Sequence, residues 1–126
     1  MKKVLVVEDD KNNMRLTLKL LKSHGYEAVI EAETGEEGVR LALEEKPDLI
    51  LMDIKLPGID GVETTERIRA SEGDSKVIII AVTSFAMAGD RERYLKGGFH
   101  GYIEKPIDPY TFIKEVEEIC QKTSRS

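Results

Sequence analysis

The sequence predicts an α/β domain in which five short strands, each followed by a helix, form one doubly wound parallel sheet of order 2-1-3-4-5. Three observations predict it. Short apolar runs alternate with longer segments of helical period along the chain. Several of those runs are nearly continuous, as expected of strands covered by helices on both faces. The length, 126 residues, fits one domain with a single core.

The elements follow in order. "KVLVV", residues 3–7, is a valine-rich strand. "NMRLTLKLLKSHG" places Met14, Leu18 and Leu21 at i, i+4 and i+7 and reads as a helix that stops at Gly25. "YEAVIEA", residues 26–32, alternates and reads as the second strand. "TGEEGVRLALEEK" is helical, with Val39, Ala42 and Leu43 on one face, and Pro47 and Asp48 punctuate. "LILMD", residues 49–53, is the third strand, and "DGVETTERIRAS" is a helix with Val62, Thr65 and Ile68 on one side. "KVIIIAVTS", residues 76–84, is the fourth strand, followed by the short, weakly amphipathic helix "AGDRERYLKGG" ending at Gly97 and Gly98. "GYIEK" is a fifth short strand. "DPYTFIKEVEEICQK" closes the chain, with Phe112, Val116, Ile119 and Cys120 on one stripe, Asp108 as cap and Pro109 in the first turn. Right-handed crossovers between parallel strands give a flavodoxin-like sheet. The domain is expected over residues 1–122, with 123–126 as a disordered tail.

Composition narrows the function classes. With 40% hydrophobic and 34% charged residues the chain reads as a soluble globular protein. A net charge of −5 disfavours a nucleic-acid surface. No apolar run approaches the roughly 20 residues of a spanning helix, and the start "MKKVLVVEDD" has too short an apolar run for a signal peptide. No membrane contact and a cytoplasmic location are expected. The single cysteine, Cys120, excludes an internal disulfide and reads as a small core residue.

In a sheet of this kind ligands bind at the carboxyl edge, near the point where strand order reverses. The residues just after each strand therefore matter most. Glu8, Asp9 and Asp10 follow the first strand, Asp53 ends the third, Thr83 and Ser84 end the fourth, and Lys105 and Pro106 follow the fifth. The first and third strands are neighbours in this order, so Glu8, Asp9 and Asp53 should converge. Carboxylates at close range repel, and a hard divalent cation resolves the conflict. Asp9 and Asp53 suit direct ligation of Mg²⁺, with Glu8 reaching through water. Lys105 adds a second positive charge and Thr83 a hydroxyl. Such a set suits a phosphoryl group placed on a carboxylate, since aspartate serves as nucleophile in aspartyl-phosphate chemistry.

Plainer readings stand beside these. Asp10 reads as a helix cap. Thr83 alone would be a turn residue and Lys105 alone a solvated lysine; their joint placement argues otherwise. Met14, Phe85 and Met87 near the pocket mouth could cover the site or meet a partner. His24 and His100 lack a metal-ligand partner at usable spacing and read as surface residues.

The motifs "VLVVEDD", "DLILMDIKLPGIDG", "IIAVTSFAM" and "GYIEKPI", in this order and spacing, resemble the receiver domain of two-component response regulators, over residues 2 to 121. The resemblance implies a CheY-like fold and a role for each matching residue. Asp53 matches the phospho-acceptor. Glu8 and Asp9 match the acidic pair that holds Mg²⁺ (Mn²⁺ could substitute), with Lys55 supplying a backbone carbonyl. Thr83 matches the hydroxyl that bonds the phosphoryl group, and Lys105 the lysine that pairs with it. Tyr102 matches the aromatic switch residue, whose ring turns inward when Thr83 is drawn to the phosphate; on its own it could simply be half-buried. The Lys105–Pro106 bond would be cis. Pro57 and Gly58 would shape the loop beside Asp53, and Gly61 would open the next helix.

The function so implied is a phosphorylation-controlled switch rather than a turnover enzyme, catalysing its own phosphorylation and a slow self-dephosphorylation. The donor would be a histidine kinase or histidine phosphotransfer protein. The output surface would be the fourth helix, fifth strand and fifth helix, roughly residues 88 to 121, acting on a partner protein. A monomer or weak dimer with no direct nucleic-acid contact is expected. The pattern looks most like stand-alone regulators of the cell-division type and receivers of hybrid histidine kinases, and the natural-looking start favours the former. Rival readings are weaker. A Mg²⁺-dependent phosphohydrolase of the haloacid-dehalogenase type would carry a second Asp two residues after the nucleophile, where Lys55 stands. A flavodoxin would have a Ser/Thr/Gly phosphate loop where this chain has acidic residues. A pseudo-receiver acting only as a binding module would not need the complete acidic set with Thr83 and Lys105.

Overall fold

The sheet order is β2-β1-β3-β4-β5, with every neighbouring pair parallel. The structure is a computed structural model, and it describes residues 3–73, 76–84 and 89–124. The elements are β1 (Lys3–Val7), α1 (Lys11–Ser23), β2 (Ala28–Ala32), α2 (Gly35–Glu45), β3 (Leu49–Asp53), α3 (Gly61–Ser71), β4 (Ile78–Thr83), α4 (Asp90–Lys96), β5 (Gly101–Glu104) and α5 (Phe112–Ser124). This is the doubly wound sheet that the sequence predicts.

Successive strand side chains point to opposite faces, so the apolar strands feed two cores. Val4, Val6, Leu49, Leu51, Ile80 and Val82 pack with Met14, Leu21, Phe112, Val116 and Cys120. Leu5, Val7, Ile50, Met52, Ile79 and Ala81 pack with Ala42, Ile68, Tyr94 and Phe99. Both faces of β3 are buried throughout, which explains its unbroken apolar run. Helix starts are fixed locally. Asp10, Thr34 and Asp60 accept from the backbone N–H of Asn13, Glu37 and Glu63, at 2.9, 3.1 and 2.8 Å. Asp10 is thus the cap of α1.

Several boundaries and faces differ from expectation. β2 starts at Ala28 rather than 26, because Tyr26 N–H donates to the Leu21 carbonyl at 3.1 Å and its ring enters the core. β4 begins at Ile78, not 76, and ends at Thr83, not Ser84; the Val77 N–H goes instead to the Glu72 carboxylate at 3.1 Å. On α2, Leu43 is exposed, and the buried face is Gly35, Gly38 and Ala42. A Cβ on Gly38 would sit 3.0 Å from a Val7 methyl, so the helix packs by its bare backbone. α4 spans Asp90–Lys96, shorter than the expected 88–98, and Ala88 lies outside the described residues. α5 starts at Phe112 rather than at the Asp108 cap. Asp108 instead organises a preceding turn, its carboxylate accepting from Tyr110 N–H at 2.9 Å and its carbonyl from Phe112 N–H at 2.9 Å. The helix continues through Ser124, past the expected start of a disordered tail at 123. His100 is not a surface residue: it is half-buried, and its Nδ1 accepts the Ile79 N–H at 3.2 Å. Met14 belongs to the core, while Phe85 and Met87 lie outside the described residues.

Candidate functional site

Register brings the strand ends together. Val7 lies beside Met52, so the next residues, Glu8 and Asp53, meet at the carboxyl edge. Asp53 pairs with Val82, and Thr83 with Glu104, while Lys105 N–H donates to the Thr83 carbonyl at 2.9 Å. Four strands thus deliver Glu8, Asp53, Thr83 and Lys105 to one edge. Asp53, Glu8 and Thr83 are buried there, and Asp9 is exposed.

The loop after β3 closes tightly over Asp53. Gly61 N–H donates to the Ile54 carbonyl at 2.7 Å, and a Cβ on Gly61 would meet Ile54 Cα at 2.7 Å. Only glycine fits at that first turn of α3. Gly58, at φ +75°, supplies the left-handed step. Ile54 and Leu56 are buried and anchor the loop.

Carboxylate oxygens of Glu8, Asp9 and Asp53 lie within 4.8 Å of one another. Lys105 Nζ donates to Glu8 Oε1 at 2.7 Å and stands 3.4 Å from Asp53 Oδ1. The Lys55 N–H donates to Asp53 Oδ1 at 3.3 Å, and the Asp10 N–H to Glu8 Oε2 at 3.2 Å. Burial, then the hydrogen bond and charge of Glu8, push the Asp53 carboxyl up to about 7, against the opposing pull of Lys105 and the Lys55 amide. For Lys105, burial acts downward most strongly of any single influence, but the carboxylates of Glu8 and Asp53 together raise it. One lysine cannot neutralise three carboxylates. The remaining negative charge, presented by oxygen donors only, fits a hard divalent cation. Chemically, the pocket can hold such a cation beside a buried carboxylate and an ammonium.

The expected site residues therefore converge where they were placed: Glu8, Asp9, Asp53, Thr83 and Lys105 share one edge, with the Lys55 backbone in the loop that follows Asp53. The Lys105–Pro106 peptide is cis. Tyr102 is half-buried, its ring centroid 6.2 Å from that of Tyr94. Sequence reading missed Tyr94, which is fully buried although its helix is short and charged. It also missed Arg69, whose guanidinium holds the Gly98 carbonyl through Nε at 3.1 Å and Nη2 at 2.7 Å. The aromatic spacing Tyr94…Phe99 before Tyr102 was the one available signal for the first; nothing in the sequence signalled the second.

Comparison with known proteins agrees with this geometry. The response regulator receiver domain family matches residues 4–117. The polar-differentiation response regulator DivK of Brucella ovis is 45% identical over 116 residues, covering 92% of this chain and 94% of that protein. The receiver domain of a sensor histidine kinase from Pseudomonas aeruginosa, solved with a magnesium ion coordinated in its active-site cleft, has a TM-score of 0.81 at 38% identity over 96% of this chain and 95% of that one. A CheY-like receiver domain protein from Methanospirillum hungatei has a TM-score of 0.84 at 30% identity, covering 100% of this chain and 99% of that one. The sheet order, the acidic edge and these relatives agree: the chain belongs to the response regulator receiver domain family and is a signalling module of two-component phosphorelays.

Proposed function

We propose that Asp53 accepts a phosphoryl group from the phosphohistidine of a histidine kinase or histidine phosphotransfer protein. A carboxylate oxygen of Asp53 forms the new bond to phosphorus. The P–N bond to the donor imidazole breaks, and the imidazole keeps the electron pair. Glu8, Asp9, Asp53 and the Lys55 carbonyl are the residues that would hold Mg²⁺, or Mn²⁺ in its place. When bound, the cation supplies charge neutralisation for the phosphoryl oxygens. Lys105 pairs with the transferred group, and the Thr83 hydroxyl bonds it. The observation that carries the reading is the buried Asp53 carboxylate with Lys105 Nζ 3.4 Å away and two further carboxylates within 4.8 Å.

Thr83 and Tyr102 act as the switch. The surface of α4, β5 and α5 then carries the signal to a partner protein. The domain acts in the cytoplasm as a monomer or weak dimer, makes no direct contact with nucleic acid, and loses its phosphoryl group slowly by itself. Among the described residues no helix is long and apolar enough to cross a membrane. The test is labelling by acetyl phosphate with and without Mg²⁺. Labelling that needs Mg²⁺ and is lost in Asp53→Asn supports the reading; stoichiometric labelling of that variant refutes it.

A further inference from the structure

The sheet has a second edge, opposite the acidic one, where α2 and α3 end and β3 and β4 begin. Near the acidic edge α2 meets α3 by its bare backbone. A Cβ on Gly35 would run into the Thr64 hydroxyl, and one on Gly38 would lie 3.7 Å from Thr64 Cγ2. One turn beyond Gly38, at Ala42, the two helices part. Between their C-terminal ends lies a cavity of about 540 Å³, within the range of small-molecule sites.

Its lining divides by chemistry. Ala42, Pro47 and Ile68 are buried and form an apolar floor, with Val77 half-buried beside them. Leu43, 40% exposed, is the open wall. The side chain that the helical stripe of α2 placed inward thus borders a cavity rather than a packed core. Four charged residues stand at the rim, and they are not equivalent. Asp48 accepts from Lys3 N–H at 2.9 Å. Glu72 accepts from Arg69 Nη1 at 2.8 Å and from Val77 N–H at 3.1 Å. Both carboxylates are therefore engaged. Lys46 and Lys76 are exposed, and neither ammonium has a hydrogen-bond or ion-pair partner among the described residues. The C-termini of α2 and α3 favour cations at this edge, which lets the two lysines stand here unpaired.

Lys46 carries a second sign of use. It closes α2 in the left-handed conformation, at φ +48°, and no other non-glycine among the described residues has a positive φ. Glycine or asparagine is usual there. A lysine strains the backbone, and strain of that kind gathers at ligand-binding sites. We propose that this cavity binds a small apolar acid, its carboxylate held by Lys46 and Lys76 and its hydrocarbon body resting on Ala42, Leu43 and Ile68. An aryl acid and a fatty acid share that chemistry. A cationic ligand finds no open counter-charge, since Asp48 and Glu72 are already bonded. The site lies at the opposite edge from Asp53 and does not depend on the phosphoryl reading.

The test titrates the ¹⁵N-labelled full chain with naphthoate, octanoate and naphthylmethylammonium, following amide shifts by NMR. Either acid should shift Ala42, Leu43, Ile68 and Val77 saturably, and the ammonium should not. The acid that saturates first tells an aryl from an aliphatic ligand. Lys46→Gly combined with Lys76→Gln should weaken that acid roughly tenfold. Lys46→Gly restores the usual residue of a left-handed cap, so the urea midpoint should not fall and lost binding is not lost folding. Should the double variant not fold, the comparison of naphthoate with the ammonium on the parent decides. No shift at these residues with millimolar acid overturns the proposal, as does equal binding of the ammonium or undiminished binding by the folded double variant. Shifts that follow protein concentration rather than added acid would assign the cavity to a second copy and overturn it too.

Discussion

Lys105 Nζ donates to Glu8 Oε1 at 2.7 Å, across 97 residues of sequence and from the end of β5 to the end of β1. The pair is nearly dry, with side chains 14% and 5% exposed. The same ammonium lies 3.4 Å from Asp53. This cation holds the carboxylates together.

Removing it should therefore unbalance the pocket. Lys105→Met leaves Glu8 and Asp53 buried side by side, and stranding one charge of a buried pair costs about 3–5 kcal/mol. Because the pocket rim reaches water at Asp9, a loss of roughly 1–3 kcal/mol is expected in metal-free protein. Under the proposed metal binding, Mg²⁺ should stabilise Lys105→Met more than the parent. Urea midpoints with and without Mg²⁺ measure both quantities; equal Mg²⁺ effects would contradict the account.

The same pocket ties metal affinity to pH. Burial and Glu8 lift the Asp53 carboxyl to about 7 in metal-free protein, so a proton competes with the cation below that pH. Mg²⁺ affinity should rise as pH increases through this range and release protons on binding. Asp53→Asn should remove most of that pH dependence. Calorimetry in two buffers of different ionisation heat reads the protons released.

Gly61 should resist substitution. A Cβ there meets the backbone of Ile54 rather than a side-chain tip that can give way. Gly61→Ala should cost roughly 1–3 kcal/mol, the range of overpacked cores. It should also slow phosphoryl labelling, because the displaced loop carries Lys55. Gly73→Ala has space for the added methyl but sits at φ +68°, so it should lose stability through backbone strain while labelling at the parent rate. A Gly61→Ala variant as stable and as fast as the parent would exclude the close packing described.

His100 should make stability depend on acidity. Its Nδ1 accepts from Ile79 N–H, so it must carry no proton there. Burial, then the charge of Arg69, with Lys76 also against and Glu72 opposing, lowers its pKa below the ordinary 6.5. The unfolded chain then binds the proton first as pH falls. The stabilisation is thus present above 6.5 and is lost as pH drops through the folded value. His100→Asn keeps an acceptor without a titrating proton. The parent should therefore lose more stability than this variant on acidification below pH 6.5, read from paired urea titrations.

Much of this was legible in the sequence, and the reason is topological. Once β1, β3, β4 and β5 were recognised as parallel strands, their last residues had to share one edge, and Glu8, Asp53, Thr83 and Lys105 were those residues. The unbroken run of β3 read correctly because both of its faces are covered. Leu43 was placed wrongly because helical period tracks apolar side chains, whereas α2 packs through Gly35 and Gly38, which have none. His100 was misread because its partner is a backbone amide on another strand, 21 residues away. Tyr94 was hidden because α4 is otherwise charged and too short for a periodic stripe. The ion pair of Glu8 with Lys105, and the Arg69 hold on Gly98, depend on distances that no sequence pattern encodes.

The central claim concerns the atom that receives the phosphoryl group. After incubation with acetyl phosphate and Mg²⁺, borohydride reduction of the acyl phosphate and peptide mass spectrometry locate the modified residue. The account predicts homoserine at position 53 and nowhere else. Reduction product at Asp9, Asp10 or another carboxylate, with Asp53 intact, would contradict it.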